Sequence, residues 1–163
     1  MTAHSHAPKD YVCPFCLLVQ GVANEHVLSR ETDIVYRDEQ VTALISSHQW
    51  PNNHGHAIIV PNAHYENLYD LPVCLGARIH EVSQALALAM KEAYHCEGTS
   101  TRQHNEPAGN QDVFHYHLHV FPRYTGDNLY GSRRVLMPSP IRTSFAVRLR
   151  QALGDWHATI TNL

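Results

Sequence analysis

The chain has 163 residues, 44% of them hydrophobic and 17% charged, a composition that suits one folded domain and excludes a disordered or fibrous chain. A formal charge of -3, with lysine only at Lys9 and Lys91, argues against the broad basic surface that holds nucleic acid. No apolar run approaches the roughly 20 residues that span a bilayer, and the start of the chain, with His4, His6, Lys9 and Asp10, lacks the apolar stretch of a signal peptide. The expected location is therefore the cytoplasm, with no membrane partner.

Residues 1–10 are polar and expected to be a flexible N-terminus. Next comes Cys13-Pro-Phe-Cys16, and Cys-Leu-Leu-Val after the proline suits a short helix ended by Gly21. Ile34-Val-Tyr-Arg and Val41-Thr-Ala-Leu-Ile, separated by Asp38-Glu-Gln, predict a hairpin. Trp50-Pro-Asn-Asn-His-Gly is a loop, and the apolar run Ala57-Ile-Ile-Val, stopped by Pro61, predicts a buried strand. Leu75, Ile79, Val82, Leu86 and Met90 recur at the spacing of one face of a long helix. Glu97 to Arg102 suits a strand, Asn-Glu-Pro-Ala-Gly-Asn must turn, and Val113 to Phe121 alternates strictly, which predicts a further strand. Ile141, Phe145, Leu149 and Ala152 predict a last helix, with Gly154 as its cap. The order of short helix, three strands, long helix, two strands and tail argues for an antiparallel α+β domain.

The cysteines divide into a close pair, Cys13 and Cys16, and two placed inside a helical pattern, Cys74 and Cys96. In a reducing compartment such a pair is more often a metal or redox site than a disulfide. A redox pair usually opens a helix directly after a strand, and no strand precedes Cys13, which favours zinc. Two more ligands are needed, and His26, His48, His54, His56, His64, His80, His95 and His104 are all available. Spacing does not choose among them.

Within Phe114-His115-Tyr116-His117-Leu118-His119-Val120, strand alternation puts the three histidines on one face and Tyr116, Leu118 and Val120 on the core face. The imidazoles are expected to look outward together. At about 3.3 Å per residue, the backbones of His115 and His119 stand roughly 13 Å apart, too far to share one zinc that holds each nitrogen at about 2 Å. Imidazole can be a neutral nucleophile or a cationic anion binder near neutral pH, so such a row fits covalent phosphoryl or nucleotidyl transfer. Gly109, Asn110, Gln111 and Asp112 just upstream could add donors aimed at phosphate. Arg123, Arg133, Arg134, Arg142, Arg148 and Arg150 make the end of the chain cationic, either as a solvated face or as a phosphate clamp.

These residues resemble the histidine triad (HIT) family, whose mark is His-φ-His-φ-His-φ-φ with φ apolar; Tyr116 is the half-polar exception. Cys13-Pro-Phe-Cys16, Gly55-His56-Ala-Ile-Ile-Val-Pro61, Asn62-Ala-His64, and Ala108-Gly109 through Pro122-Arg123 look like the family's landmarks in the family's order. The resemblance implies a HIT-like α+β fold over residues 11–125, an antiparallel sheet of about five strands with a long helix and a short zinc-bound N-terminal segment. Residues 126–163 would be an arginine-bearing extension with a helix, all within one domain of residues 1–163.

By the same resemblance His117 would be the nucleophile, His119 would hold the α-phosphate and His56 would orient the cluster. His115 would join Cys13, Cys16 and His64 around a structural zinc. Gln103, Asn105, Gln111 and Asp112 are the nearest matches to the family's phosphate and nucleotide contacts. Where many members carry an aspartate for the ribose hydroxyls, this chain has Ile45-Ser46-Ser47-His48. The expected activity is hydrolysis or transfer that cleaves a nucleoside monophosphate from an amine, phosphate or nucleotide leaving group. Small-molecule nucleotides would be its substrates and a homodimer, with sheets joined edge to edge, its assembly. A regulatory nucleotide-binding module with little turnover and a zinc-dependent metallohydrolase are the alternatives.

Overall fold

The computed structural model describes residues 5–160, with side chains described to residue 154. The first four residues of the polar N-terminus lie outside the described residues. Helix α1 (Pro14–Val19) opens on Pro14, with the Cys13 thiol accepting from the Cys16 amide. Gly21, at φ +70°, turns the chain away from it. A 3-10 turn (Glu31–Asp33) leads into strands β1 (Ile34–Arg37) and β2 (Val41–Ile45). The hairpin between them closes because the Asp38 carboxylate accepts from the amides of Gln40 and Val41, both at 2.7 Å.

There follow β3 (His48–Gln49), β4 (Ala57–Pro61), helix α2 (Val73–Tyr94), β5 (Gly98–Gln103), β6 (Leu118–Arg123), β7 (Val135–Leu136) and helix α3 (Ser139–Ile160). Five strands form one antiparallel sheet in the order β1-β2-β4-β6-β5, and β3 pairs with β7 in a separate ribbon. The expected antiparallel α+β fold with a five-stranded sheet and a long helix is what forms. All five periodic apolar residues of α2 are buried, and each contributes about 1.5–3 kcal/mol by leaving water.

The central strand β4 is buried along its whole length because both sheet faces are covered. Ala43, Ile45, Ala57 and Ile59 pack with α2 and α3. Leu44, Ile58 and Val60, on the opposite face, pack with Phe15 and Leu18 of α1. The second face carries the site, and α1 is its cover. Among the described residues, no helix is long and apolar enough to cross a membrane.

Four expectations change. Strand β6 begins at Leu118 rather than Val113, so His115 and His117 lie in a bent approach whose turn is closed by the His115 amide on the Val113 carbonyl at 2.9 Å. The triad imidazoles do not face solvent: His115, His117 and His119 are 0%, 4% and 6% exposed, beneath the N-terminal segment. Gly154 does not cap α3, because its backbone lacks the left-handed φ of a cap and the helix runs on to Ile160. Cys96 follows α2, which ends at Tyr94 with His95 at φ 53°.

Candidate functional site

Two clusters meet along the histidine row. The first joins Cys13 and Cys16, at the start of α1, to His64 and His115, with all four donor atoms within 4.8 Å of one another. The Cys13 Sγ lies 3.3 Å from His115 Nδ1, and the Cys16 Sγ lies 3.2 Å from His64 Nδ1 and 3.6 Å from His115 Nδ1. A tetrahedral metal with sulfur at about 2.3 Å and nitrogen at about 2.0 Å sets such atoms about 3.5 Å apart. The donors fit that tetrahedron. The Nε2 of His115 stands 2.9 Å from the Pro61 carbonyl oxygen, which can only accept, so Nε2 carries the proton and Nδ1 presents its lone pair to the cluster. Burial and the neighbouring Cys13 push the Cys16 thiol up to about 12, a charge problem that a bound cation relieves.

The second cluster is His56, His117 and His119. Register fixes its position: His119 pairs with Ile58 of β4, so it projects onto the α1 face, while Val120 pairs with Ala57 on the helix face. His117 Nδ1 lies 2.7 Å from the His115 carbonyl oxygen, so it must donate there. The Nε2 lone pair then points away from the backbone with no hydrogen-bond partner among the described residues. His56 Nδ1 donates to the His48 carbonyl at 3.3 Å, leaving Nε2 to accept from His119 Nδ1 at 2.9 Å. Burial pulls all three imidazoles below their ordinary value, His56 to about 3. At neutral pH the rings are uncharged.

His56 is held by a turn that depends on two residues. Gly55 sits at φ +93°, and a Cβ there would come within 2.5 Å of the Tyr94 ring, so the turn admits only glycine. The buried Gln49 amide accepts from the amides of Gly55 and His56 at 3.1 and 2.9 Å and donates to the carbonyls of Ser46 and His56. Phe121 stacks on the His56 ring at 4.2 Å between centroids. Nothing in the sequence pattern singled out Gln49.

Clefts open on two sides of His119. One runs under α1 past Phe15, Leu18, Val27, Ile58 and His117, with Ser46, Ser47 and His48 at its polar side. The other is a groove over Trp50, Arg102, His104, Arg133 and Arg134. Asp112 and Arg134 border both and form an ion pair. Burial alone would raise Asp112, but the Arg134 guanidinium holds it below the usual carboxylate range. Gln111 lines the groove with its amide committed to the Glu66 and Val113 carbonyls and the Glu106 amide. Gln103 and Asn105 bond to each other, and Asn105 also accepts from the Leu68 amide at 2.8 Å; neither lines these two clefts.

The cationic tail divides by role. Arg123 pairs with Asp127, and Arg142 forms a buried pair with Asp33 at 2.9 Å. Arg148 donates to the Ala93 carbonyl and lies over the Tyr94 ring; Arg150 donates to the carbonyls of Thr32 and Ile34. Only Arg133 and Arg134 of the six reach the groove. Arg102, from β5, joins them there without having been singled out by sequence.

The fold and its two clusters define a class: an α+β protein with a four-donor metal-type centre beside a buried, neutral row of histidines. The particular family follows from comparison. The HIT domain family model matches residues 28–126, and the chain belongs to that family. The solved structure of a Zn-bound histidine triad family protein from Mycobacterium smegmatis is 31% identical, with a TM-score of 0.74 over 90% of this chain and 96% of that one. Protein hit of Bacillus subtilis is 30% identical over 74% of this chain and 77% of its own length. A relative in Arabidopsis thaliana, 27% identical over 74% of this chain and 56% of its own, is named adenylylsulfatase HINT3. The family thus includes members with hydrolase names.

Proposed function

We propose that this chain is a HIT hydrolase that cleaves a nucleoside monophosphate from its leaving group through a covalent nucleotidyl-histidine at His117. The observation that carries the reading is the free Nε2 of His117: its Nδ1 proton is committed to the His115 carbonyl, which leaves a neutral ring with a lone pair at the cleft. That nitrogen attacks the α-phosphorus, a P–N bond forms, and the leaving group departs with the electrons of its bond to phosphorus. Water then attacks phosphorus, the P–N bond breaks, and the nucleoside monophosphate leaves with an oxygen from water.

His119 would hold the α-phosphate and take up a proton as the anion arrives, since its Nδ1 proton already goes to His56 and its outward Nε2 would otherwise meet the anion as a bare lone pair. His56 is a positioning residue: it acts through His119. The apolar cleft under α1 suits a nucleobase, and the serines and His48 beside it suit a ribose. Asp112 and Gln111 border the phosphate region, whereas Gln103 and Asn105 would shape the loop that carries it.

Zinc is the metal that suits Cys13, Cys16, His64 and His115, as the two thiolates and two imidazoles select it. It would tie α1 to the triad and take no part in a step. Four protein donors complete the tetrahedron and leave no open position for water, which argues against a zinc-activated hydrolase. A homodimer would join sheets at an edge, and β5 is an edge strand bearing a residue of the groove. In the cytoplasm the thiols would stay reduced and free for the metal.

The test is incubation with an adenosine phosphoramidate and with a dinucleoside polyphosphate, followed by mapping of an acid-labile adduct. His117 is expected to carry the nucleotidyl group. Full activity in His117→Ala without any adduct would end the covalent reading.

A further inference from the structure

The groove on the β5 side of His119 carries charge that the residues of the fold leave unmet. Arg102 pairs in register with His119 across β5 and β6, so both side chains lie on one face as neighbours. Its guanidinium lies 5.0 Å from the Trp50 ring centroid, 4.9 Å from Phe121 and 5.9 Å from Tyr130. Its Nε is buried with no hydrogen-bond partner, and no carboxylate pairs with it among the described residues. Elsewhere Arg37, Arg78, Arg123 and Arg142 each meet an acid. Arg133 and Arg134 line the same groove, whose one carboxylate, Asp112, already pairs with Arg134. Arg102 is half-buried, and a guanidinium Nε shut off from water without a partner costs free energy that an anion arriving at the group would offset.

We propose that this groove is a second anion subsite that receives a phosphoryl group of the leaving portion, so that the preferred substrates are phosphoanhydrides such as dinucleoside polyphosphates rather than phosphoramidates. The inference rests on the nucleotidyl-histidine reading above and adds the leaving group to it. His119 and Asp112 border both clefts, so an α-phosphoryl held at His119 has the apolar cleft on one side and the cationic groove on the other. The nucleoside takes the first and the leaving group the second. When His117 Nε2 bonds to the α-phosphorus, the bond from that phosphorus to the bridging oxygen breaks, and the oxygen keeps the electron pair. The product departs as a phosphate anion whose added charge Arg102 and Arg133 meet with forked donors. An amine leaving group brings no such charge and needs a proton at nitrogen.

Two measurements on the full-length, metal-loaded protein test this. In calorimetric titration with inorganic tripolyphosphate, the wild type binds, and Arg102→Gln with Arg133→Gln loses affinity by about tenfold or more, as befits one or two charge-assisted contacts. In kinetics, the ratio of kcat/KM for diadenosine triphosphate to that for adenosine phosphoramidate exceeds one in the wild type and falls about tenfold or more in the double variant. Arg102→Lys, which keeps the charge without the fork, recovers part of both. Unchanged tripolyphosphate affinity, or equal losses on the two substrates, overturns the subsite. If His117 is never labelled by either substrate, the proposed reaction fails instead, while the titration still decides whether the groove binds polyphosphate.

Discussion

His115 and His117 are two residues apart and have opposite surroundings. Both ring nitrogens of His115 are occupied, one facing the thiols of Cys13 and Cys16 and one on the Pro61 carbonyl. His117 has one nitrogen committed to backbone and the other free toward a cleft. A ring fixed on both sides can brace a fold, whereas a ring fixed on one side is oriented and still reactive. Strand alternation treats the two histidines alike; hydrogen-bond accounting separates them.

The separation can be broken first at the reactive end. His117→Ala is expected to lower turnover by roughly 10⁴-fold or more, as removal of a nucleophile does, with metal content and melting temperature unchanged. Steady-state kinetics beside elemental analysis checks both halves. The bracing end should respond the other way. Chelator treatment or Cys13→Ser is expected to release zinc and lower the melting temperature by many degrees, because metal affinity is spent on folding. An unaltered melting curve in chelator would show that the cluster does not brace α1.

Smaller effects sharpen the picture of how the reactive rings are held. Gln49→Ala leaves the Gly55 and His56 amides without partners and takes one donor from each of the Ser46 and His56 carbonyls, the latter keeping the Ser46 amide, and chemical denaturation should show a loss of about 2–4 kcal/mol. Gly55→Ala should cost a similar amount through its φ and the Tyr94 ring. Taken one pH unit at a time, the pH dependence gives the mildest test. His56 titrates at about 3 when folded and near 6.5 when unfolded, so below pH 6.5 the unfolded chain binds a proton that the folded chain refuses. Stability should therefore fall as pH drops from about 6.5 toward 3, by at most about 1.4 kcal/mol per pH unit from this group, and His56→Phe should flatten that slope.

Strands β1, β2 and β4 and the long helix were legible because each carries a run or stripe of apolar residues, from Ala57-Ile-Ile-Val to the Leu75–Met90 stripe. The metal cluster was legible only in part: Cys13 and Cys16 announce themselves by spacing, but His64 and His115 are selected by the way the chain returns, and only resemblance named them. Strands β3 and β7 have two residues each, too few to show a period, so the ribbon went unseen. The bend before β6 was also invisible, since Phe114 to Val120 alternates perfectly until His115 is drawn toward the thiols. Arg102 and Gln49 are single polar residues whose roles arise from neighbours far away in sequence. The groove was therefore beyond any local pattern, while the histidine row was plain.

The most direct test of the divided row sets His115→Ala against His117→Ala in two assays, zinc content by elemental analysis and the acid-labile nucleotidyl adduct by mass spectrometry. The expected result is crossed: His115→Ala loses zinc, and His117→Ala keeps zinc at the wild-type level while forming no adduct. A His117→Ala protein that still becomes nucleotidylated at the wild-type rate, or a His115→Ala protein that keeps its full zinc, would contradict the account.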